Sequence, residues 1–557
     1  MFFGLRRRYR MVRRYRRIAR ILTRHGFDYL FNQVGLAEIV ALPRRAIGRP
    51  PREILKRSTA ERVRLVLEEL GPAFIKLGQI LSTRGDLLAK DYIEELEKLQ
   101  DDVPPVPYAE ISRVVERELG QPLEDLFDGF DPHPLAAASI AQVHRATMHD
   151  GTAVVVKVQR PGVQEQIALD ILILLDFARL ADRHTPWGRI YSFTDMAAEF
   201  QETITEETDF RTEARHADTI RRNMENDPRV FIPRVQWTHT TQRVLTLEYV
   251  EGIKLSNLEA LDAAGMDRAQ LARTLADVIL KQMLIDGIFH ADPHPGNISV
   301  LPGNKLVFVD FGIIGRLSPE HKEYLGQIML GLVRKNADMV IKAVIRTGAV
   351  PENVDLGELR RDIEKLQQKY YDVPLNQINV SESMQDFLAL AYRHRVRLPT
   401  QLTLLIKALV TADGVVRTLD PEISIVEVAK PLGRRLTAER FSPERLRRFW
   451  QESLPEYAHI VSRLPFQMHD LFEQLTRGDL RIKQENPGLD RLSRSVSSLA
   501  NRMILTVLVI ALFLGAGVFA YQDYRLFDTL AAADLSFVAG SVLGVWLVFK
   551  ILRSGHL

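Results

Sequence analysis

The chain has 557 residues, of which 46% are hydrophobic and 26% charged, and its formal net charge is +3. This is an ordinary globular composition, with enough length for several domains and a sizeable core. Because the chain has no cysteine, disulfides, thiolate metal sites and a cysteine nucleophile are excluded; a reducing compartment fits but is not established.

The N-terminal segment is strongly basic. Ten arginines lie between Arg6 and Arg24, and the first acidic residue is Asp28. Apolar residues recur among the arginines at roughly helical spacing, which predicts a helix lying on an anionic membrane surface. A solvated tail, a nucleic-acid arm and a mitochondrial presequence have similar compositions and remain alternatives.

A helical pattern over residues 59–70 ends at Gly71-Pro72, and Pro72 is well placed to begin the next helix. That second helix carries Lys76 and Gln79 on one face, with Gly78 leaving room for an approaching backbone or ligand. Polar residues in an otherwise apolar helix are either exposed by chance or turned inward for a purpose. Sequence alone leaves both readings open.

A β-hairpin is predicted next, with Asp150-Gly151 as its turn and Lys157 in its second strand. Alternation places the neighbouring valines on one face and Lys157 on the other, beside a loop of small residues whose amides can approach phosphates. A lysine that snorkels from an edge strand is the alternative. The loop comprises Leu135, Ala136, Ala137, Ala138, Ser139, Ile140, Ala141, Gln142 and Val143.

Residues 193–218 have an acid-rich helical pattern. One of its acids could pair with Lys157, as the αC glutamate does in a kinase, although a solvated face is the alternative. The strand pattern at 243–250 ends in Glu248-Tyr249-Val250, which resembles the hinge that binds adenine through its backbone. The candidate acids are Glu206, Glu207, Asp209 and Glu213.

The motif at 290–297 reads His-Ala-Asp-Pro-His-Pro-Gly-Asn. Asp292 and Asn297 have the spacing of the base and the metal-binding amide in a kinase catalytic loop, and Asp310 begins an Asp-Phe-Gly motif. Oxygen ligands of this kind suit Mg²⁺. A metal-hydrolase cluster of His290, Asp292 and His294 is the alternative, although the prolines break a strand there.

After Gly312, Ser318-Pro319-Glu320 follows almost at once and predicts a helix N-terminus. The long segment that docks peptides in protein kinases is nearly absent. A small molecule, a lipid or water is therefore the expected phosphoryl acceptor.

Residues 503–521 and 535–552 are apolar runs of membrane-spanning length, joined by a short acidic connection. They predict a transmembrane hairpin, in which Gly540 and Gly544 would allow close helix packing. Basic flanks place the preceding domain on the cytoplasmic face. Buried helices of a soluble domain are the alternative.

The motifs together resemble the UbiB/ABC1/ADCK family of atypical kinases. The resemblance covers nearly the whole chain. It rests on the presence of all these motifs together and on their order along the chain. The matching motifs are Lys76-Leu77-Gly78-Gln79 (KxGQ), the alanine-rich loop Ala136 to Ser139, Lys157, Glu207-Thr208-Asp209 (ExD), His290 to Asn297, and Asp310-Phe311-Gly312.

This resemblance implies that the loop 135–143 covers ATP, that Lys157 contacts its phosphates and that Glu207 pairs with Lys157. Asp292 would be the proton acceptor, and Asn297 and Asp310 would hold Mg²⁺. The KxGQ segment, with Lys76, Gly78 and Gln79, would pack over the site and occlude a peptide channel.

We therefore expect an α+β, mainly helical, bilobal kinase-like fold with a KxGQ extension and a transmembrane hairpin. The expected activity is that of an ATP- and Mg²⁺-dependent kinase or ATPase supporting ubiquinone biosynthesis at a bacterial inner membrane, with the kinase-like domain cytoplasmic. Membrane lipid, quinone precursors and quinone-biosynthesis enzymes are the expected partners, and nucleic acid is not. A catalytically silent, nucleotide-sensing scaffold is the alternative.

The expected boundaries are 1–58 basic segment, 59–130 extension, 131–252 N-lobe, 253–440 C-lobe, 441–502 linker and 503–552 membrane helices.

Overall fold

The structure is a computed structural model. It describes residues 2–28, 52–99, 103–185, 192–334, 336–346, 354–371, 373, 379–429, 503, 505–516, 525–526 and 530–553. The chain divides into two compact units, residues 1–442 and 443–557. The predicted linker 441–502 lies outside the described residues, as does the end of the first predicted span, 517–521.

The first unit begins with a group of helices that contains the KxGQ segment. Gly71 has a φ of 97° and Pro72 opens the following helix, so the predicted break is confirmed. Ser58 caps the preceding helix through the amide of Glu61. The helices are α1 Phe2–Arg24, α2 Arg52–Leu55, α3 Thr59–Leu70, α4 Pro72–Ser82 and α5 Lys90–Leu96.

The N-lobe is a four-stranded antiparallel sheet with the order β1-β2-β3-β5. Its predicted hairpin is confirmed, with Gly151 at a φ of 83° in the turn. Val154, Val156 and Val158 are fully buried in a cluster that includes side chains of α6. The elements are α6 Tyr108–Leu119, α7 Leu123–Leu126, β1 Gly129–Ala137, β2 Ala141–Thr147, β3 Ala153–Gln159, α8 Val163–His184, α9 Phe193–Glu207, α10 Phe210–Met224, β4 Val230–Phe231 and β5 Val244–Glu248.

Helix α1 packs against protein through several of the apolar side chains that were predicted to meet a membrane. Ile18 and Ile21 are 1% and 3% exposed, and they share a core with α3, α4 and α8. Arg14 binds both carboxylate oxygens of Asp170 on α8, at 2.6 and 2.8 Å. The prediction of a membrane-facing apolar side is therefore wrong for these residues, because the same periodicity serves an internal interface.

The C-lobe is built on α12, which lies in the largest buried cluster of the unit. A sheet of order β4-β9-β8-β6 and the pair β7–β10 lie beside it. Helix α12 ends in one turn of π-helix, Gln282–Asp286. The elements are β6 Ile253–Lys254, α11 Leu258–Ala263, α12 Arg268–Lys281, β7 Ile288–His290, β8 Ile298–Leu301, β9 Lys305–Phe308 and β10 Ile314–Arg316.

Five further helices of this unit contribute to a separate hydrophobic cluster. The last of them, α17, also contributes Ala408 and Ala412 to the main C-lobe core. It thereby ties the helical region to the kinase-like lobe. The helices are α13 Pro319–Val333, α14 Ala337–Arg346, α15 Leu356–Tyr371, α16 Val380–Arg393 and α17 Thr400–Leu419.

The second unit contains a helix over residues 505–516, a small antiparallel pair and a longer helix. Gly540 faces the first helix, since a Cβ there would lie 3.4 Å from Leu512 Cβ. Within the part of the chain that the structure describes, no helix is long and apolar enough to cross a membrane, so the predicted transmembrane hairpin is not supported. The named elements are β11 Arg525–Leu526, β12 Leu530–Ala531 and α18 Ala532–Arg553.

Candidate functional site

Lys157 is held in the interior of the N-lobe sheet. It lies on β3, between β2 and β5, on the face opposite the buried valines. Its Nζ donates to both carboxylate oxygens of Glu213 at 2.9 Å. The pairing of Lys157 with Glu207 that the resemblance implied is therefore wrong, and the reading of Lys157 as an edge lysine is wrong as well.

A break between two helices explains why Glu213 is the partner. Helix α9 ends at Glu207, and α10 begins at Phe210 after Asp209. Asp209, the acid of the ExD motif, is the N-cap of α10 and accepts from the Arg211 amide. The first turns of α10 then bring Glu213 beneath β3, where the Phe210 ring also lies 5.4 Å from the Lys157 ammonium.

Glu207 instead binds the KxGQ segment. Lys76 Nζ lies 2.5 Å from Glu207 Oε1, and both side chains are mostly buried. Gln79 donates to the Leu99 carbonyl at 3.4 Å. Gly78 faces apolar side chains, and a Cβ there would lie 2.2 Å from Leu99 Cδ1. The polar face of α4 is thus turned inward, and the gap at Gly78 accommodates packing.

The charges around Lys157 stabilise one another. Burial would lower the pKa of the Lys157 ammonium, but Asp310 and Glu213 outweigh it and hold that pKa above its ordinary value. Lys157 in turn lowers the pKa of the Asp310 carboxyl, helped by a hydrogen bond from the Gly312 amide. Asp310 is therefore ionised at neutral pH. Burial raises the pKa of Glu213 despite the opposing charge of Lys157.

The catalytic-loop motif follows directly from β7. His290 is 2% exposed, and its Nδ1 accepts from the Asp292 amide at 3.1 Å. Burial lowers the pKa of His290, so the ring is neutral. Asn297 Nδ2 donates to the Asp292 carbonyl at 3.3 Å, closing the loop on itself.

Asn297 and Asp310 meet at one end of a β-hairpin. Strands β8 and β9 pair antiparallel, with Ile298 opposite Phe308, and the Val309 amide donates to the Asn297 carbonyl at 3.1 Å. Asn297 immediately precedes β8, and Asp310 follows β9 after one residue. The predicted metal-binding amide and carboxylate are thus brought to the same edge of the sheet.

The alternative metal-hydrolase cluster is not formed. His290 Nδ1 is occupied by a backbone amide, and His294 Nδ1 accepts from the Gly296 amide at 3.2 Å. Among the residues that the structure describes, no group of three or more His, Asp and Glu side chains is arranged to hold a metal ion. Mg²⁺ bound by one carboxylate and one amide would take its remaining ligands from phosphate and water.

Most of the predicted loop 135–143 is strand, and only Ala138, Ser139 and Ile140 form the turn between β1 and β2. Leu135 is exposed and Ala136 and Ala137 belong to β1, whereas Ser139, Ile140, Ala141 and Gln142 are buried. Gln142 binds the backbone of Val106 and the ring of His144. The Gln142 side chain therefore has a structural role. Val143 continues into β2, and Ala138 accepts from the Arg160 guanidinium at 2.7 Å.

The predicted hinge follows β5, which is an edge strand of the N-lobe sheet. The Glu248 amide donates to the Arg234 carbonyl and the Tyr249 amide to that of Ala153, both at 2.9 Å. The Tyr249 ring stacks on Arg145. Val250 is half-buried after these two residues. These contacts fix the direction in which the chain crosses to the C-lobe.

The segment after the Asp-Phe-Gly motif is as short as predicted. Strand β10 pairs with β7, so Ile314 lies opposite His290. Helix α13 then begins at Pro319, and the Ser318 hydroxyl accepts from the His321 amide at 3.2 Å. The helix start and its Ser318 cap confirm the predicted N-terminus. Only six residues separate Gly312 from that helix.

Comparisons with known proteins give matches over most of the chain. Residues 98–344 match the ABC1 atypical kinase-like domain, 363–424 the UbiB helical domain, and 487–553 the ABC1/UbiB kinase-like C-terminal domain. The "Probable protein kinase UbiB" of Xanthomonas euvesicatoria is 36% identical over 88% of this chain and 90% of its own length. The chain belongs to the ABC1/UbiB family of kinase-like proteins.

Two further proteins are similar to this chain. The "Uncharacterized protein sll1770" of Synechocystis is 36% identical over 89% of this chain and 85% of its own length. A solved structure of Rv3197 with erythromycin from Mycobacterium tuberculosis has a TM-score of 0.48 at 24% identity, covering 68% of this chain and 96% of that one.

Two residues at this ABC1/UbiB site were missed by sequence reasoning. Lys407, on α17, lies 3.6 Å from Asp292 Oδ1. In the sequence, Lys407 stands out only as the single charged residue in the mostly apolar run from Leu402 to Val410. Arg160, which also binds the Val103 carbonyl at 3.3 Å, directly follows β3 and had no signal beyond its position. Glu213 was among the candidate acids, but the ExD motif directed the choice to Glu207.

Proposed function

We propose that this protein binds ATP with Mg²⁺ at the edge where β3, the catalytic loop and Asp310 meet, and transfers its γ-phosphoryl group to a non-peptide acceptor. The observation that supports this proposal is the ion pair of Lys157 with Glu213, whose atoms lie 2.9 Å apart. The charge of Asp310 is also close enough to raise the pKa of Lys157. Such an arrangement places a fixed cation beside an ionised oxygen ligand, as phosphoryl transfer requires.

The residues present fit magnesium. Asp310 offers an ionised carboxylate, because Lys157 lowers its pKa, and Asn297 offers an amide oxygen at the same sheet edge. Both are hard oxygen donors, and Mg²⁺ takes its remaining ligands from phosphates and water. When bound, the ion would neutralise charge that develops on the phosphates.

The residues of the chain itself have separate tasks in this proposal. Lys157 binds phosphate oxygens, while Glu213 fixes the direction of its ammonium. Asp292 orients the acceptor hydroxyl and takes its proton. The hydrogen bonds of the Asp292 backbone with the side chains of His290 and Asn297 hold that backbone in place during the transfer.

A non-peptide acceptor is proposed because the chain has little room for a peptide platform. The six residues between Gly312 and α13 are partly used by β10, which pairs with β7. The KxGQ helix also reaches the site through the Lys76–Glu207 ion pair. A small molecule or a lipid headgroup needs a smaller docking surface than an extended peptide.

We extend the proposal to ubiquinone or related prenyl quinones, the pathway that the family resemblance implies. Precursors with long prenyl chains partition into membranes, so the protein is proposed to work at the cytoplasmic face of a bacterial inner membrane. Quinone precursors and the enzymes that process them would then be its partners.

The test compares nucleotide binding and turnover. Purified wild type should bind ATP in a Mg²⁺-dependent manner and release ADP, and Asp310→Asn should lose at least about 100-fold in kcat/KM. Asp267→Asn is the matched control, because this exposed N-cap acid of α12 lies outside the site and asparagine caps equally well. Undiminished turnover in Asp310→Asn would refute the assignment.

A second experiment separates catalysis from scaffolding. A null strain carrying wild type or Asp292→Asn is profiled for quinones and their intermediates. Restoration by wild type alone supports phosphoryl transfer in the pathway. Full restoration by Asp292→Asn would show that nucleotide binding without transfer is sufficient.

A further inference from the structure

The catalytic loop lacks a cation of its own. Its eight residues from His290 to Asn297 include neither lysine nor arginine. Where the kinase motif His-Arg-Asp has arginine, this chain has Ala291, which is fully buried. Any positive charge beside Asp292 must therefore come from another element.

Lys407 supplies that charge from helix α17. Its Nζ lies 3.6 Å from Asp292 Oδ1, with side-chain exposures of 30% and 34%. Both groups thus remain accessible. Lys407 also interacts electrostatically with Glu97 at the end of α5, so it lies between the KxGQ extension and the catalytic loop.

The helix that carries Lys407 is held firmly. Ala408 and Ala412, on its buried side, are fully enclosed in the main core. At its N-terminal end Gln401 accepts from the Arg316 amide of β10 at 2.8 Å. Lys407 is therefore presented from a packed helix, as precise catalytic positioning requires.

Lys157 and Lys407 are bound differently. Lys157 is engaged by both oxygens of Glu213 at hydrogen-bond distance. The separation of Lys407 from Asp292 exceeds the 2.7 to 3.2 Å typical of such a bond. The Lys407 ammonium therefore keeps donors for an anion that arrives beside Asp292.

We propose that Lys407 is a catalytic residue whose ammonium contacts the phosphoryl group during its transfer; this inference rests on the proposed function. A bond forms between the acceptor oxygen and the γ-phosphorus while the bond to the β–γ bridging oxygen breaks. Asp292 takes the acceptor's proton, and ADP leaves with the electron pair. Lys407 stabilises negative charge on the oxygens of the transferred group.

A purely structural role makes different predictions. If Lys407 only ties α17 to the catalytic loop, its loss changes thermal stability and acts on turnover through misplacement of Asp292. An effect on the transferred group instead persists when Asp292 has already been replaced. A double-mutant cycle separates these cases.

The experiment measures kcat, the ATP KM, MgATP affinity and Tm for wild type, Lys407→Met and Lys407→Arg. We expect Lys407→Met to lower kcat roughly 100-fold, with MgATP affinity within about threefold and a nearly unchanged Tm. Lys407→Arg should keep at least about a tenth of kcat, because it retains the charge. The control Lys369→Met removes an exposed paired lysine on α15 and should behave as wild type.

The cycle adds Asp292→Asn and the double variant. Lower residual turnover in the double variant than in Asp292→Asn supports direct contact with the phosphoryl group. Equal turnover in those two variants, or wild-type kcat in Lys407→Met, would overturn the inference while leaving the proposed function intact. A wild-type protein without ATP turnover would overturn both, and it is recognised before any variant is compared.

Discussion

Lys76 and Glu207 form an ion pair of 2.5 Å between the KxGQ helix and the end of α9. This pair lies near a second one, Lys157 with Glu213, on the N-lobe sheet. The two are electrostatically coupled, since Lys76 opposes the raised pKa of Lys157 and helps to lower that of Asp310. The extension therefore contributes a charge to the site.

The two glutamates should respond differently to substitution. Glu213→Gln leaves Lys157 without its bidentate partner, so we expect ATP affinity to fall by about 10-fold or more, with a loss of about 3 kcal/mol in stability because a buried pair is broken. Glu207→Gln should leave the Lys157–Glu213 pair intact. Titration with a fluorescent nucleotide and urea unfolding measure both effects. A greater loss of ATP affinity in Glu207→Gln would contradict the observed pairing.

Removal of Lys76 should strengthen cation binding. The Lys76 charge acts on Asp310, so Lys76→Met makes the surroundings of this proposed metal-binding carboxylate more negative. We expect the Mg²⁺ concentration for half-maximal ATP binding to fall by about threefold, equivalent to roughly 0.7 kcal/mol. Lys90→Met is the control, because Lys90 belongs to the same extension but forms an exposed pair with Glu94. A rise in the required Mg²⁺ would count against this account.

Local signals gave the element boundaries near the site. Gly71-Pro72, Asp150-Gly151 and Ser318-Pro319 each impose a backbone geometry within a few residues, and each appears where it was predicted. The order of the kinase-like motifs was also readable, because it depends only on their positions along the chain. Together these signals were sufficient for the fold class and for the choice of loop.

Contacts between distant elements could not be read in the same way. Glu207 and Glu213 are six residues apart, and only the break at Thr208 and Asp209 decides which one reaches Lys157. Lys407 is 115 residues from Asp292 in the sequence, and no local pattern reports that distance in space. The arginine-rich helix α1 shows a different error. Its apolar periodicity suits both a membrane surface and a protein core, so the pattern alone could not decide between them.

Gly315 should not tolerate a side chain. It lies opposite Phe289 in the β7–β10 pair, and a Cβ there would be 2.0 Å from the Phe289 ring, which is fully buried. We expect Gly315→Ala to lower the free energy of unfolding by about 2 to 3 kcal/mol through overpacking. Gly414→Ala is the control, since nothing lies within 4 Å of its Cβ and alanine favours a helix by up to about 1 kcal/mol. Equal urea midpoints would contradict this packing.

Arg14 should be needed for docking of α1, although its basic neighbours are not. Its guanidinium binds both oxygens of Asp170 and the Leu70 carbonyl, and Asp170 is fully buried. Arg14→Met removes the bidentate cation from that buried carboxylate, which should cost about 3 kcal/mol of stability. Exposed Arg13 provides the control, because Arg13→Met should change stability by less than about 0.5 kcal/mol. Urea unfolding that does not distinguish the two variants would place α1 elsewhere.

His144 should make the folded protein sensitive to acid. It is fully buried, its Nδ1 lies 2.8 Å from the Asp131 carbonyl, and its Nε2 lies 2.9 Å from Gln142 Nε2. The Gln142 amide donates to Nε2 and Nδ1–H donates to the carbonyl, so the ring is neutral. Burial lowers the pKa of His144, only partly opposed by its bond to Asp131. A proton on Nε2 would set two donors against each other.

The sign of the pH dependence follows from that lowered pKa. Above about pH 6.5 the ring is neutral in both the folded and unfolded chain, so it adds no pH dependence. As the pH falls below about 6.5 the unfolded chain binds a proton first, and stability decreases by up to about 1.4 kcal/mol per pH unit until the folded-state pKa is reached. His144→Gln should therefore flatten the fall in urea midpoint between about pH 6.5 and 5.

His149, in the turn between β2 and β3, provides a control of opposite sign. Its hydrogen bond to Asp128 raises the pKa of His149, so its contribution to stability is present below the unfolded pKa and is lost as the pH rises through the folded one. His149→Gln should therefore make the acid decline slightly steeper, whereas His144→Gln makes it shallower. If both variants shift the urea-midpoint curve in the same direction, burial of a neutral His144 does not determine its acid sensitivity.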